Sequence, residues 1–241
     1  MRILGIDTSG GSAAALVETT ASGPYGTLPG EDRLGPLTVL GRRTGLDPRR
    51  HAEVLTPLIA EMLATHDGVD LVAVGTGPAP FTGLRVGLVT ARVFARGRGI
   101  GVHGVSSLDV LARQALDVLA DGSEVLVATD ARRREVYAAR YRAAGPDDVE
   151  RLAGPDVAAP AVVGELLEAG TAVTGSGAAL YPDLLPPAPD LPVAVDPAVL
   201  ARLVAVRLAR AERGAEVELG LEPHYLRRPD VQVPGAAKRV S

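Results

Sequence analysis

Cysteine and tryptophan are both absent from this chain of 241 residues, aromatic residues make up 3% of it, and lysine occurs once, at Lys238. Without cysteine there is no disulfide framework, no thiolate nucleophile and no cysteine-type zinc site. With so few rings in a sequence that is 46% hydrophobic, the core is built of Ala, Val and Leu, which suits a parallel or mixed sheet covered by helices. The near-exclusive use of arginine for positive charge reads as genome bias. No apolar run approaches membrane-spanning length, and Met1 leads into a strand pattern rather than a basic leader. The expectation is therefore a cytoplasmic protein with no membrane partner. A net charge of −4 gives no global attraction to nucleic acid.

What the chain does have is a concentration of turn residues at Gly75 to Gly87, GTGPAPFTGLRVG, between the apolar run Leu71 to Val74 and a helical pattern reaching Arg98. Strand, tight loop and helix follow one another here. On a helical wheel Arg85, Arg92 and Arg96 form one stripe. Leu84, Leu88, Ala91 and Ala95 line one flank of it, and Val86, Val89 and Val93 the other. A helix apolar on two sides is normally buried on two sides, so one flank covers the chain's own sheet and the other meets a second layer or another molecule.

Around that stretch the chain reads as α/β. Arg2 to Asp7 is a strand ending in a carboxylate, and Ala13 to Val17 returns as the second arm of a hairpin. Residues 19–36 read as an exposed extension before a third strand at Leu37 to Leu40, and His51 to Thr65 as a helix containing Pro57. After a strand near 99–104, Ser106 or Ser107 caps a helix to Leu119. Glu124 to Asp130 is again a strand ending in Asp, followed by the turn Ala131 to Arg134 and a return strand to Arg142. VAVGTG at 72–77 is echoed by AVTGSG at 172–177, so two features repeat in the same order and suggest a duplicated α/β unit. A helix near 160–169, a proline-rich connection at 181–197, a helix at 198–213 and a strand at 223–226 complete the pattern.

Little of this carries chemistry. The glycine-rich loop lacks the lysine of a P-loop and the spacing of a dinucleotide fingerprint, and its prolines remove two N–H donors. Tight packing is the better account, with Arg85 as the residue suited to an anion. Asp7 and Asp130 are strand-end carboxylates of the kind that hold metal or phosphate in actin-like ATPases; for Asp130, followed by three arginines, a salt bridge or a turn aspartate bonding its own backbone is the better account. Small neighbours, Thr8, Ser9 and Gly10, leave room for a ligand at Asp7. No two of His51, His66, His103 and His224 stand three or four apart, so no metal site is expected. Arg132 to Arg134 suits either an RNA backbone or a solvated turn.

The opening RILGIDTS, then RRHAEVLTPLI, GTGPAPFTGLRVGLVTARVFA, VSSLDVLA, TDARRREVYAARY and EPHYLRR occur in an order that resembles the TsaB (YeaZ) family across residues 2–228. The resemblance implies two RNase H-like (actin-like, ASKHA-type) subdomains related by duplication, at 1–107 and 108–228, with a flexible tail at 229–241. It implies a non-catalytic partner in forming N6-threonylcarbamoyladenosine at position 37 of tRNAs reading ANN codons. The partners would be the catalytic subunit TsaD, the ATPase subunit TsaE, a second copy when alone, and tRNA through the complex. ATP or ADP and metal would sit on those partners, and no cofactor on this chain.

Two departures qualify the likeness. Ala79 and Pro80 replace Gly and Ser of the usual GPGSFTGLR, and where the catalytic subunit carries His-x-x-x-His this chain reads Ser107 to Leu111. His51 resembles a histidine common to both families. By the same resemblance the two helices that pack against the partner are those at 51–65 and 81–98, with Val54, Leu55, Leu58, Met62, Leu84, Leu88, Ala91 and Ala95 as the partner surface. Asp7, Thr8, Ser9 and Arg85 are the candidate nucleotide or anion contacts. The rival expectations are an actin-like kinase or ATPase using Asp7 and Asp130, and a glycoprotease-type peptidase.

Overall fold

The computed structural model describes residues 1–28, 31, 33–45, 51–66 and 68–227, without the side chains of His51 and Ala52. The expected tail at 229–241 and the side chain of His51 lie outside the described residues. A first sheet has the order β3-β2-β1-β4-β5, formed by β1 (Arg2–Asp7), β2 (Ser12–Thr19), β3 (Leu37–Gly45), β4 (Leu71–Gly75) and β5 (Gly101–Val105). β1 pairs antiparallel with β2 and parallel with β4, and β4 pairs parallel with β5. A second sheet has the order β8-β7-β6-β9, from β6 (Glu124–Asp130), β7 (Val136–Ala143), β8 (Val149–Ala158) and β9 (Ala172–Thr174). β6 again pairs antiparallel with β7 and parallel with β9. The second sheet thus repeats the first without its fifth strand: an RNase H-like (actin-like) unit built twice.

Alternation along β1 decides which helices cover which face. Leu4 and Ile6 point with Ala14, Leu16, Val72 and Val74 toward α1 (His51–Leu63) and α2 (Phe81–Arg98). Ile3 points the other way, with Ala15, Val17 and Ala73, toward α6 (Pro197–Glu212). Each fully buried Leu or Ile contributes about 1.5–3 kcal/mol of transfer free energy, so a strand shifted by one residue would lose both faces. Gly5 admits α6 at close range, because a Cβ there would lie 2.1 Å from the Pro197 carbonyl oxygen. α3 (Ser107–Leu116) covers the second sheet, whose other face takes α4 (Pro160–Glu165) and α5 (Ser176–Leu180).

Where the two halves meet, α3 and α6 share a buried ionic cluster. Asp109 accepts from Tyr141 Oη at 2.9 Å, Arg151 at 2.9 Å and Arg207 at 3.0 Å. Arg207 also donates to Asp148 at 2.9 Å. Burial alone would raise the pKa of Asp109, yet Arg207 and Arg151 together hold it below the ordinary carboxylate value. Burial, with the Asp109 charge beside it, pushes the Tyr141 phenol well up.

Two expectations need correction, and one strand lies outside the sequence pattern. The described part of 19–36 is not an exposed extension, since Thr27 and Leu34 are buried and the Leu34 N–H donates to Asp147 at 2.9 Å. The segment 223–226 forms no strand; it is tied just past the end of β4 by His224 N–H to the Thr76 carbonyl, and upstream of it the Leu219 carbonyl accepts from Gly104 N–H of β5. β8 has no counterpart in the sequence pattern, because Gly154-Pro155 looks like a turn. An edge strand can hold that pair where a central strand cannot. The proline-rich connection does lie at the surface, and it has a task there: the Ala188 N–H donates to the Val173 carbonyl, closing the edge of β9 where a fifth strand would stand.

Candidate functional site

Asp130 and the residues that follow Asp7, Thr8 to Gly10, line a cleft between the subdomains with a volume of about 470 Å³. Asp7 itself is not presented to it as an open ligand: the residue is 2% exposed. Its Oδ1 accepts from Ser9 N–H at 2.8 Å and Ser9 Oγ at 2.6 Å, and its Oδ2 from Ser107 Oγ at 2.6 Å. The space that small neighbours leave around this carboxylate is filled by the chain's own hydroxyls. Gly75 completes the fit, since a Cβ there would sit 1.9 Å from Asp7 Oδ2.

Thr8 is likewise committed, donating to the Gly83 carbonyl at 2.9 Å and leaving only a glycine's width at Gly87. The glycine-rich loop turns a carbonyl inward: the Gly77 oxygen accepts from Ser107 N–H at 2.8 Å and from Ser106 Oγ at 3.1 Å. Loop, β1 end and α3 start are therefore one hydrogen-bonded unit. The motif position of the His pair is part of it, with Ser107 on Asp7 and Leu111 in the core of the second subdomain. Among the described residues no three His, Asp or Glu side chains gather as a metal site.

Of the candidate anion contacts, Thr8 and Ser9 line the cleft and Arg85 does not. Arg85 lies on the rim, its guanidinium 3.6 Å from the centroid of the Phe81 ring and its Nε donating to Tyr225 Oη at 3.0 Å. Phe81 and Arg85 are an i, i+4 pair that the sequence could have shown. Tyr225, 140 residues away, could not be placed from the sequence. On the opposite wall Arg132 lines the cleft and pairs with Asp130 at 3.3 Å. Arg132, Arg133 and Arg134 all take left-handed backbone conformations, with φ of 63°, 54° and 59°.

The partner surface drawn from the sequence is corrected in six positions. Leu55, Met62, Leu84, Leu88, Ala91 and Ala95 are buried in the core of the first subdomain, and Val54 and Leu58 are half-buried against Gly45 of β3. The sheet face of Leu4, Ile6, Val72 and Val74 takes the wider apolar flank of α2, because that flank removes more area from water. Of the narrower flank, Val86 packs against the same core and the other two valines are left outside. Val89 is 58% exposed and Val93 65%, between the exposed Arg92 and Arg96. No helix among the described residues is long and apolar enough to cross a membrane.

Comparison with known proteins gives a consistent picture. The family model described as TsaD, tRNA N6-adenosine threonylcarbamoyltransferase, matches residues 43–179. The tRNA threonylcarbamoyladenosine biosynthesis protein TsaB of Escherichia coli is 32% identical over 207 residues, covering 76% of this chain and 84% of that protein. An uncharacterised protein of Mycobacterium tuberculosis is 41% identical over 200 residues, 81% of this chain and 84% of its own. Among solved structures, YeaZ from Pseudomonas aeruginosa is 25% identical with a TM-score of 0.68, covering 88% of this chain and 95% of that one.

Proposed function

This chain belongs to the TsaB (YeaZ) family, and from that premise we propose that it works in tRNA threonylcarbamoyladenosine biosynthesis as a non-catalytic partner that holds and activates a TsaD-type transferase. The observation that carries the non-catalytic part is the fate of Asp7. A strand-end carboxylate whose oxygens accept from Ser9 and Ser107, in a residue buried to 2% exposure, is engaged by the chain's own groups, which supports a reading without a metal or phosphate on it. Ser107, where a metal-binding histidine would stand, is one of the groups that occupy it. Metal, nucleotide and the transfer step then belong to the partner, the ATPase subunit TsaE included, and the product is the modified adenosine at position 37 of tRNAs reading ANN codons.

The docking surface in this reading is the outer face of α2. Val89 and Val93 supply the apolar contact, and Arg92 and Arg96 carry no ion pair among the described residues, so a partner with carboxylates beside an apolar groove fits it. The same face serves a second copy when the transferase is absent. The reading is tested by reconstituting threonylcarbamoyl transfer from TsaD, TsaE and tRNA with and without this chain. Transfer that depends on the chain supports it, and full transfer in its absence sinks it.

A further inference from the structure

Seven aromatic residues occur in the chain, two Phe and five Tyr, and only Phe81 and Tyr225 are exposed, at 44% and 39%. They are together. Their ring centroids are 5.0 Å apart, with the Arg85 guanidinium over Phe81, and Phe81 is also a wall of the cleft. Two partly exposed rings clustered with a guanidinium suit an unstacked nucleobase, because every base offers a π-face.

The opposite wall supplies the charge such a ligand needs. Arg132 lines the cleft with its side chain 63% exposed, and its pair with Asp130 is a solvated one that exchanges at little cost. Arg133 and Arg134 continue the same exposed turn, and Arg134 has no ion pair among the described residues. The turn is closed by Glu135 N–H to the Arg132 carbonyl and Ala131 N–H to the Glu135 carbonyl, so the arginines are presented by a formed loop rather than a mobile one. Thr129 Oγ1, also lining the cleft, is buried without a hydrogen-bond partner among the described residues, and Ser176 lines the cleft too.

We propose that this chain binds RNA directly, taking an unpaired nucleotide at the cleft mouth with its base on Phe81, Arg85 and Tyr225 and its flanking phosphates on Arg132 and Arg134. The site differs from a nucleoside triphosphate site of the actin type in that Asp7 has no part in it. The choice of RNA over other polyanions rests on the reading that the chain works on tRNA. Charge on one wall and stacking on the other make separable contributions: arginines set the salt dependence, rings add affinity that salt does not change.

The test is fluorescence anisotropy of a labelled, short, unstructured RNA titrated with the full chain from about 50 mM salt upward. Wild-type binding should weaken steeply with salt. Arg132→Gln with Arg134→Gln should weaken it and lower the salt slope by about 0.7 for each phosphate no longer neutralised. Phe81→Leu with Tyr225→Leu should weaken it about tenfold at an unchanged slope. Circular dichroism melts of the same variants confirm that each is folded. Absence of binding at low salt, equal binding by either variant pair, or competition by AMP as effective as by the oligonucleotide would each overturn the proposal, the last by making the cleft a free-nucleotide site. Dependence of transfer on the unaltered chain is measured separately, so failure there sinks the functional reading and leaves the RNA measurement standing.

Discussion

Ser107 Oγ donates to Asp7 Oδ2 at 2.6 Å across 100 residues of sequence, tying the end of β1 to the first turn of α3. The bond converts a position suited to ligand binding into a structural one. Replacing Ser107 by Ala strips a buried carboxylate of one of its partners, at a cost of about 1–3 kcal/mol. Denaturant unfolding should show that loss, and threonylcarbamoyl transfer by the reconstituted complex should keep its rate at temperatures where the variant stays folded. A collapse of transfer with unchanged stability would make Asp7 a working residue.

The buried cluster around Asp109 makes stability pH-dependent in a definite direction. Its folded pKa lies below the unfolded value of about 4, so the native state binds fewer protons than the unfolded chain. The stabilisation is present above that unfolded value and is lost as pH falls below it. Asp109→Asn should lower stability at neutral pH and flatten the acid limb of a plot of stability against pH. Arg207→Met leaves Asp109 and Asp148 without a shared partner and should cost about 3–5 kcal/mol.

Much of this fold is legible in the sequence because its rules are local. Leu4 and Ile6 alternate with Ile3 and Gly5, and the strand-Asp-turn pattern at Asp7 returns at Asp130 in a second sheet of the same plan. The echo of Gly75 and Gly77 at Gly175 and Gly177 is one of place, since each pair stands at the end of the parallel strand beside the central one, whereas positive φ falls on the second glycine of the first pair and the first of the second. What the sequence hides is nonlocal. Both flanks of α2 are apolar, and a period of 3.6 says nothing about which faces the sheet; that depends on the combined width of Leu84, Leu88, Ala91 and Ala95 against Val89 and Val93. The partners of Arg85 and Asp7 lie 140 and 100 residues away, so the rim stack and the filled carboxylate site are invisible to spacing arguments.

The outward flank gives the cleanest separation of docking from folding. Val89→Glu with Val93→Glu changes exposed positions, so stability should move by no more than about 0.5 kcal/mol per site. Co-purification with the TsaD-type subunit should be lost. Leu88→Ala, by contrast, removes a buried side chain and should cost about 2–5 kcal/mol. If the double glutamate variant assembles like wild type, the interface lies elsewhere.

Gly75 tests whether the loop and the carboxylate are one unit. An alanine Cβ at this position would meet Asp7 Oδ2 at 1.9 Å and Ser107 Oγ at 2.9 Å, distances no real contact tolerates. The two groups must part or β4 must shift from β1, with which it pairs at Ile6 and Val74. Overpacking of this kind costs about 1–3 kcal/mol, and a second loss follows if Asp7 gives up the Ser107 hydroxyl. Gly75→Ala and Ser107→Ala should therefore be non-additive, because the alanine at 75 has already displaced the bond that the alanine at 107 removes. A double-mutant cycle by urea denaturation reads this directly, and strict additivity would show that the glycine serves backbone packing alone.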